Sequence, residues 1–287
     1  MSIVVTGATG HLGRKTVESL LARGVPAGEI VAGGRDLDKI KDLADRGVKV
    51  VTIDYTDPVG LRAALAGARR VLLVSGSEIG QRVAQHKNVI DAAKDAGVEL
   101  LAYTSAPYAA TTSMLLAAEH RATEELVLAS GVPFALLRNG WYFENYTGQL
   151  PTALQLGAIY GAAGEGRISA AARVDFAEAA AAVLAAGDHV GRTYELGGDD
   201  AFTMAGLAAA ISAATGTAVE YKNVTQAEYE QILTGAGLPA PMPAILADVD
   251  RAVVAGELFI ASGDLSRLIG RPTTTLDIAL AGALAAA

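Results

Sequence analysis

The chain contains no cysteine. That removes disulfides, thiolate nucleophiles and cysteine-held metal centres from consideration. Histidine is scarce: His11, His86, His120 and His189 are the whole set, and their spacing matches no metal-ligand pattern, so no metal is expected. Lysine is missing from the whole interval between Lys94 and Lys222. Aromatic residues make up only 5% of the 287 positions, so each one tends to mark a packing anchor or a site. No apolar run approaches the roughly 20 residues of a membrane span. No secretory leader pattern precedes the first strand-like run, and a soluble cytoplasmic protein is expected. A basic surplus is lacking as well. Residues 1–150 balance 16 Lys/Arg against 16 Asp/Glu, whereas residues 151–287 hold 7 against 15, for a net charge of −8. A nucleic-acid partner needs a basic face and is excluded. If the acidic C-terminal half walls the substrate site, strongly anionic substrates are disfavoured and neutral or cationic ones fit better.

What is present is an alternation. Apolar, β-branched or leucine-rich runs fall at 3–6, 29–32, 48–53, 70–74, 98–104 and 134–138, with a late one at 193–196; they suit strands buried on both faces. Helical patterns lie between them. In 81–96, Val83, Ile90 and Ala93 share a face, and in 115–129, Ala118, Ala122 and Ala129 do. Further helices are read at 174–186 and 204–214. The proline-marked stretch 225–261 reads as a helical cap over the sheet's C-terminal edge. The fold class is therefore α/β: a doubly wound, Rossmann-like parallel sheet with a smaller, mostly helical C-terminal cap lobe. Residues 1–155, completed by the strand near 193–196, are expected to form the core, and the remaining segments of 156–287 the cap.

The first strand and helix flank Gly7-Ala8-Thr9-Gly10-His11-Leu12-Gly13. Strand, glycine turn and helix build a cradle for a pyrophosphate. The helix start offers unpaired N–H groups and partial positive charge, and glycine lets the phosphates approach the backbone. The G-x-x-G-x-x-G spacing departs from the simplest dinucleotide fingerprint, and an ordinary glycine-rich turn is the alternative. A second strand follows at 29–32, which completes the βαβ unit that a dinucleotide requires. At that strand's tip stands Gly33-Gly34-Arg35-Asp36. An acid there holds the ribose 2′-hydroxyl of NADH, whereas an arginine pairs with the 2′-phosphate of NADPH. Arg35 comes first after the apolar run, so NADPH is favoured over NADH, and Asp36 is expected to cap the next helix. A solvated loop charge is the plainer alternative for Arg35.

The chain resembles the NmrA-like branch of the atypical short-chain dehydrogenase/reductases, and within it the bacterial type 2 NAD(P)H:quinone oxidoreductases. The resemblance runs nearly end to end. It rests on Thr6-Gly7-Ala8-Thr9-Gly10-x-Leu12-Gly13, Glu78-x-Gly80-Gln81-Arg82 through Gln85-His86, and Ala102-Tyr103-Thr104-Ser105. It continues in Leu137-Arg138-Asn139-Gly140-Trp141-Tyr142, Tyr194-Glu195-Leu196 and Leu268-Ile269-Gly270-x-Pro272-Thr273-Thr274-Thr275. It implies NADPH binding and two-electron reduction of quinones, with triphenylmethane dye reductases as a related class. The resemblance places the phosphates on Gly7 to Leu12, the 2′-phosphate on Arg35, and further cofactor contacts on Ser75, Gly76 and Ser77. In that last stretch the family's middle serine is replaced by glycine. The nicotinamide side falls near Thr104 and the block Asn139, Gly140, Trp141, Tyr142 and Glu144, with Arg173 reaching the cofactor.

The Tyr-x-x-x-Lys acid of ordinary short-chain dehydrogenases cannot be built here. Tyr103 is followed four residues later by Pro107 and Tyr108 by Thr112, and no lysine lies near. No catalytic residue is assigned on this basis. A ketone reduction needs a strong local acid for its alkoxide, whereas a reduced quinone is a delocalised anion that takes its proton from water. A small aromatic acceptor is therefore the expected partner, with Tyr142 and Tyr146 as pocket walls. Packing within the cap is the alternative for both. His120, between Glu119 and Arg121, is expected on a solvated helix face, with donation to an acceptor oxygen as its alternative. Asp54 is read as bordering the adenine or capping the helix near Asp57, and Trp141 as a loop anchor. The missing acid also permits a different class: a redox sensor of the NmrA type that binds NADP(H) without turnover. The sequence singles out no oligomer-forming helix.

Overall fold

Seven strands form one parallel sheet in a computed structural model that describes residues 2–286. The chain enters with β1 (Ile3–Val5), crosses through α1 (His11–Ala22) to β2 (Ile30–Gly34), and passes α2 (Lys41–Asp45) to β3 (Lys49–Thr52). Helix α3 (Pro58–Leu65) carries it back to β4 (Arg70–Leu73), on the other side of β1. From there α4 (Arg82–Asp95), β5 (Leu100–Ser105), α5 (Ala118–Ser130) and β6 (Phe134–Asn139) continue outward. After α6 (Glu144–Thr147), α7 (Leu150–Leu156), β7 (Ala158–Gly161) and α8 (Arg173–Ala185), β8 (Arg192–Leu196) closes the edge beside β6. The strand order β3-β2-β1-β4-β5-β6-β8 reverses direction between β1 and β4. That switch point opens a crevice at the strands' carboxyl ends, where ligands of this architecture sit.

Period-two alternation assigns the strand residues to two covered faces. Ile3, Val5, Ala32, Leu72, Ala102 and Leu137 face α1 and α8, where Val17, Leu20, Phe176 and Ala180 pack. Val4, Val31, Val71, Leu101, Tyr103 and Leu136 face α3, α4 and α5, where Leu61, Leu65, Val89 and Val127 pack.

The rest of the chain is α9 (Met204–Thr215), β9 (Glu220–Asn223), α10 (Gln226–Gly235), α11 (Met242–Val254), α12 (Asp264–Ile269) and α13 (Leu276–Ala285). Strands β7 and β9 pair in parallel as a small second sheet. Phe143, Leu150, Ile168, Leu207, Ile211, Val249 and Val253 form a separate core there. Packing does not change hands at residue 155. Helix α7 belongs by its buried Leu150 and Ala153 to the small lobe, whereas α8 and Leu265 of α12 cover the main sheet. The reason lies in α8, whose alanine-rich stretch 177–182 lets it lie close on α1 and the strands.

Two of the sequence blocks turn out to be clasps. Asp175, fully buried in α8, accepts from Arg271 Nη2 at 2.7 Å and from the Thr274 N–H at 2.8 Å, which ties down the Pro-Thr-Thr-Thr stretch. Arg138 on β6 donates to both oxygens of Glu124 on α5 and, through Nη1, to Glu195 on β8 at 2.8 Å. A paired, hydrogen-bonded charge cluster of this kind is costly to break singly. Its effect here is to fix the β6 end from which the site's loop departs.

Candidate active site

The crevice is a cleft of about 590 Å³ running over the carboxyl ends of β2, β1, β4, β5 and β6. Its two ends are built differently.

At the near end the wall is backbone. Gly7 holds φ +61, a left-handed conformation that suits glycine. The turn closes on itself with the Gly10 N–H donating to the Gly7 carbonyl at 2.9 Å, and it is pinned to β2 by the Ala8 N–H donating to the Gly33 carbonyl at 2.8 Å. A Cβ on Gly13 would stand 2.4 Å from the Gly7 oxygen, so this contact of helix with turn admits glycine only. Helix α1 starts at Gly10 with no side-chain cap and no acid in its first turn. Its leading N–H groups therefore remain available, with the helix dipole, to an anion. α3 makes the contrast, because Asp57 accepts from the Val59 and Gly60 N–H groups and closes that helix's start. Thr9, Gly10, His11, Leu12 and Gly13 all line the cleft together with Gly7. Ala8 does not, since it is fully buried with its N–H spent on β2.

Arg35 reaches over this end from the tip of β2, with its side chain 64% exposed. It pairs with Glu78 across the cleft at 2.6 Å, and the other Glu78 oxygen accepts from Gln85 at 2.8 Å. Those bonds, from Gln85 and then Arg35, hold the Glu78 carboxyl below its usual range. Asp36 precedes a 3₁₀ turn but caps nothing, and its nearest partner is Lys39 at 3.7 Å. Asp54 lines the cleft beside Arg35, and its Oδ1 accepts from the Thr56 N–H at 2.8 Å. Capping of α3 belongs to Asp57.

At the far end the wall is side chains. Ser75, Gly76 and Ser77 follow β4; Thr104 and Ser105 end β5, with Ala106 and Pro107 beyond; Asn139, Gly140, Trp141 and Tyr142 leave β6. Gly140 is needed because a Cβ there would sit 2.8 Å from the Leu196 carbonyl. Arg173 stacks over the Tyr142 ring at 5.1 Å, and Tyr142 meets Phe176 edge-on. Met114, Leu116 and Leu258 add an apolar wall that sequence reasoning missed, because nothing in their local pattern distinguishes them from packing. Tyr55, Arg82 and Gln85 were missed for the same reason, although the latter two lie in one of the family-like blocks.

Further expectations change. Glu144 does not line the cleft. Its carboxylate accepts from the Arg173 N–H at 3.0 and 3.1 Å, a cap on the start of α8 that balances the arginine there. Tyr146 turns away into the small lobe, edge-on to Phe202, and lines a separate apolar cavity of about 160 Å³ with Tyr229 and Ile232. His120 is not on a solvated face: it is 7% exposed, lines the cleft, and its Nδ1 lies 2.8 Å from the Tyr103 hydroxyl. Its charged neighbours Glu119 and Arg121 misled the reading. The acidic C-terminal half does not wall the site either, since beyond residue 150 only Arg173 and Leu258 reach it.

Among the described residues, four buried side-chain atoms lack a hydrogen-bond partner: Ser75 Oγ, Arg82 Nη1, Ser105 Oγ and Asn139 Oδ1. All four residues line this cleft. Buried polar atoms rarely go unpaired, and their concentration in one place marks a site built for a polar ligand. A bare helix start at one end, an arginine beside it and unpaired amide and hydroxyl groups at the other fit a dinucleotide coenzyme in extended form.

Comparison with known proteins agrees. Residues 1–258 match the NmrA-like family. The chain belongs to that family. It is 47% identical over 274 residues to Quinone oxidoreductase 2 of Escherichia coli strain K12, with 96% of each chain covered. The structure of the E. coli NADPH-dependent quinone oxidoreductase complexed with NADPH superposes with a TM-score of 0.95 at 46% identity, covering 98% of this chain and 99% of that one. The triphenylmethane reductase of Citrobacter sp., complexed with NADP(H), superposes with a TM-score of 0.92 at 37% identity, covering 98% and 100%. No helix among the described residues is long and apolar enough to cross a membrane.

Proposed function

We propose that this protein is an NADPH-dependent oxidoreductase that transfers hydride to quinones or related flat aromatic acceptors. The observation that carries the reading is the two-ended cleft, with its free helix start at one end and, among the described residues, the four buried polar atoms without a hydrogen-bond partner along its walls. The 47% identity to a quinone oxidoreductase over nearly the whole chain supports it.

In this reading the N–H groups following Gly10 hold the pyrophosphate and Arg35 the 2′-phosphate. Asn139 and Ser75 offer their unpaired oxygens to the nicotinamide amide. When bound, NADPH supplies the hydride. The chain's own task is positioning, because holding donor and acceptor carbons at roughly 3–3.5 Å removes much of the barrier. Trp141, Met114, Leu116 and Leu258 form the apolar wall against which a flat ring packs, and Tyr142 is a further wall. The apolar chamber, rather than protein charge, selects the acceptor class. Work in the cytoplasm follows from dependence on the reduced coenzyme pool.

The test is NADPH oxidation on addition of 1,4-benzoquinone. Quinone-dependent loss of the reduced-coenzyme absorbance is expected. Tight NADPH binding with no turnover on benzoquinone, naphthoquinone or a triphenylmethane dye would establish the sensor reading instead.

A further inference from the structure

His120 stands in the first turn of α5, the helix that follows the β5 end of the cleft. Its Nδ1 is 2.8 Å from the hydroxyl of Tyr103, which is itself fully buried. Thr123 and Ser75 also lie close enough to that hydroxyl to moderate its pKa, and Nδ1 is the partner that meets it at hydrogen-bond distance. With the phenol proton directed at Nδ1, the imidazole's own proton sits on Nε2, which has no protein partner among the described residues, on a side chain that lines the cleft. The neighbouring histidine is fixed the opposite way. His86 Nε2 accepts from the Gly76 N–H at 2.9 Å, so its Nδ1–H serves Thr123 at 3.0 Å. Thr123 in turn donates to the Glu119 carbonyl at 2.8 Å. Burial, with repulsion from Arg82 and His86, lowers the His120 pKa to about 3, so the ring is neutral. A neutral imidazole cannot serve as a strong acid, but its N–H is a fixed dipole on a buried side chain.

The geometry points to His120 as an electrophilic catalyst, whose Nε2–H donates to the acceptor's carbonyl oxygen and holds the negative charge that collects there during hydride transfer. This rests on the proposed function. The electrons balance without an added acid. The hydride pair of the donor C–H bond would form a C–H bond on the acceptor ring, the conjugated π pairs would shift so that the carbonyl π pair moves onto its oxygen, water would protonate the oxygens, and the added ring carbon would lose its original proton to water as the aromatic ring forms. No proton leaves the imidazole. Tyr103, whose phenol burial pushes above its usual range, stays protonated throughout and acts as the positioning residue that fixes the tautomer.

The probe is 4-nitrophenolate, an unreactive stand-in for the anionic oxygen, titrated into the NADP⁺-loaded protein with neutral 4-nitroanisole as control. Wild type is expected to bind the phenolate with a shifted visible band. In His120→Leu the shift should vanish and phenolate affinity fall at least tenfold, with 4-nitroanisole and NADPH affinities within twofold of wild type. With benzoquinone, kcat should fall about 100-fold while KM changes little, as for loss of one oxyanion donor. His120→Gln keeps an N–H donor and should recover most of both signals. Tyr103→Phe should keep NADPH affinity and show, by imidazole ¹⁵N shifts, a mixture of tautomers. Unchanged phenolate affinity or unchanged kcat in His120→Leu would overturn the proposal, and so would a His120→Gln protein as impaired as the leucine variant. If wild type fails to turn over quinones yet discriminates phenolate through His120, the reaction is wrong and the donor stands.

Discussion

The near and far ends of the cleft solve recognition with different materials. At the near end, the Gly7–Gly13 turn and the start of α1 offer main-chain groups whose positions follow from φ angles and close contacts. At the far end, side chains from β4, β5, β6, α5 and the segment before α12 converge. A main-chain site is strict about which residues may build it and indifferent to what lies beyond the phosphates. A side-chain site tolerates substitution and sets the chemistry. The family can therefore keep one coenzyme site while the named relatives act on a quinone or a triphenylmethane dye.

The comparison breaks first at the turn. Gly13→Ala places a Cβ 2.4 Å from the Gly7 oxygen, so the turn and helix cannot both keep their places. Loss of measurable NADPH binding together with a lower Tm is expected. Gly10→Val separates the two effects. Its Cβ meets only the Gly7 oxygen at 3.3 Å, so the fold should hold, while the branch fills the phosphate space. Calorimetric titration should show affinity for NADPH and NADH both down by about 100-fold or more, since several charge-assisted bonds are lost.

Next in size is Arg35→Ala, which sharpens the comparison because a side chain does the work at the near end too. NADPH should bind about 10- to 100-fold more weakly, with NADH within threefold, as expected for one hydrogen-bonded charge pair. Equal losses for both coenzymes would remove Arg35 from the 2′-phosphate. Smaller still is Glu78→Gln. Glu78 holds the Arg35 guanidinium that a 2′-phosphate would claim. Releasing it should tighten NADPH by about threefold and leave NADH unchanged, in keeping with the modest worth of an exposed ion pair.

Asp250 supplies a control remote from both ends. Its carboxylate accepts from the Ala162 N–H at 2.6 Å, and burial raises its pKa to about 6. A carboxyl whose folded pKa lies above its unfolded value favours the folded state while protonated, and that stability is lost as pH rises through the folded value. Asp250→Asn should therefore be the more stable protein at pH 8, by on the order of 2 kcal/mol, with the advantage gone at pH 4. Coenzyme affinity should not change. Thermal melts across that range check the sign.

The same division explains what the sequence made legible. Strands, crossovers and the glycine turn were readable because each is a local pattern: apolar runs, helical periodicity, and glycines at positions that exclude a Cβ. The parallel, doubly wound class followed from that alternation, whereas the strand order emerged only in the structure. The far end was only half readable. Ser75, Thr104, Asn139 and Tyr142 fall at strand ends, where sites of this architecture form. Leu258 and Met114 arrive through long loops, and no local signal reports such a meeting. His120 was placed on a solvated face because its neighbours Glu119 and Arg121 are charged, yet Arg121 is spent on the Ala109 and Thr112 carbonyls. Glu144 was assigned to the cleft through the family resemblance and Tyr146 as an aromatic wall. The short helix α6 turns one of them into the lobe core and the other onto the start of α8.

The central claim is that one cleft holds both coenzyme and acceptor, with the phosphates on bare backbone. A crystal structure of the protein soaked with NADPH tests it most directly. Pyrophosphate density is expected within hydrogen-bond reach of the N–H groups after Gly10, with the 2′-phosphate on Arg35 in place of Glu78 and the nicotinamide amide against Asn139. Clear density for the coenzyme elsewhere, or an empty turn at a saturating concentration, would contradict it.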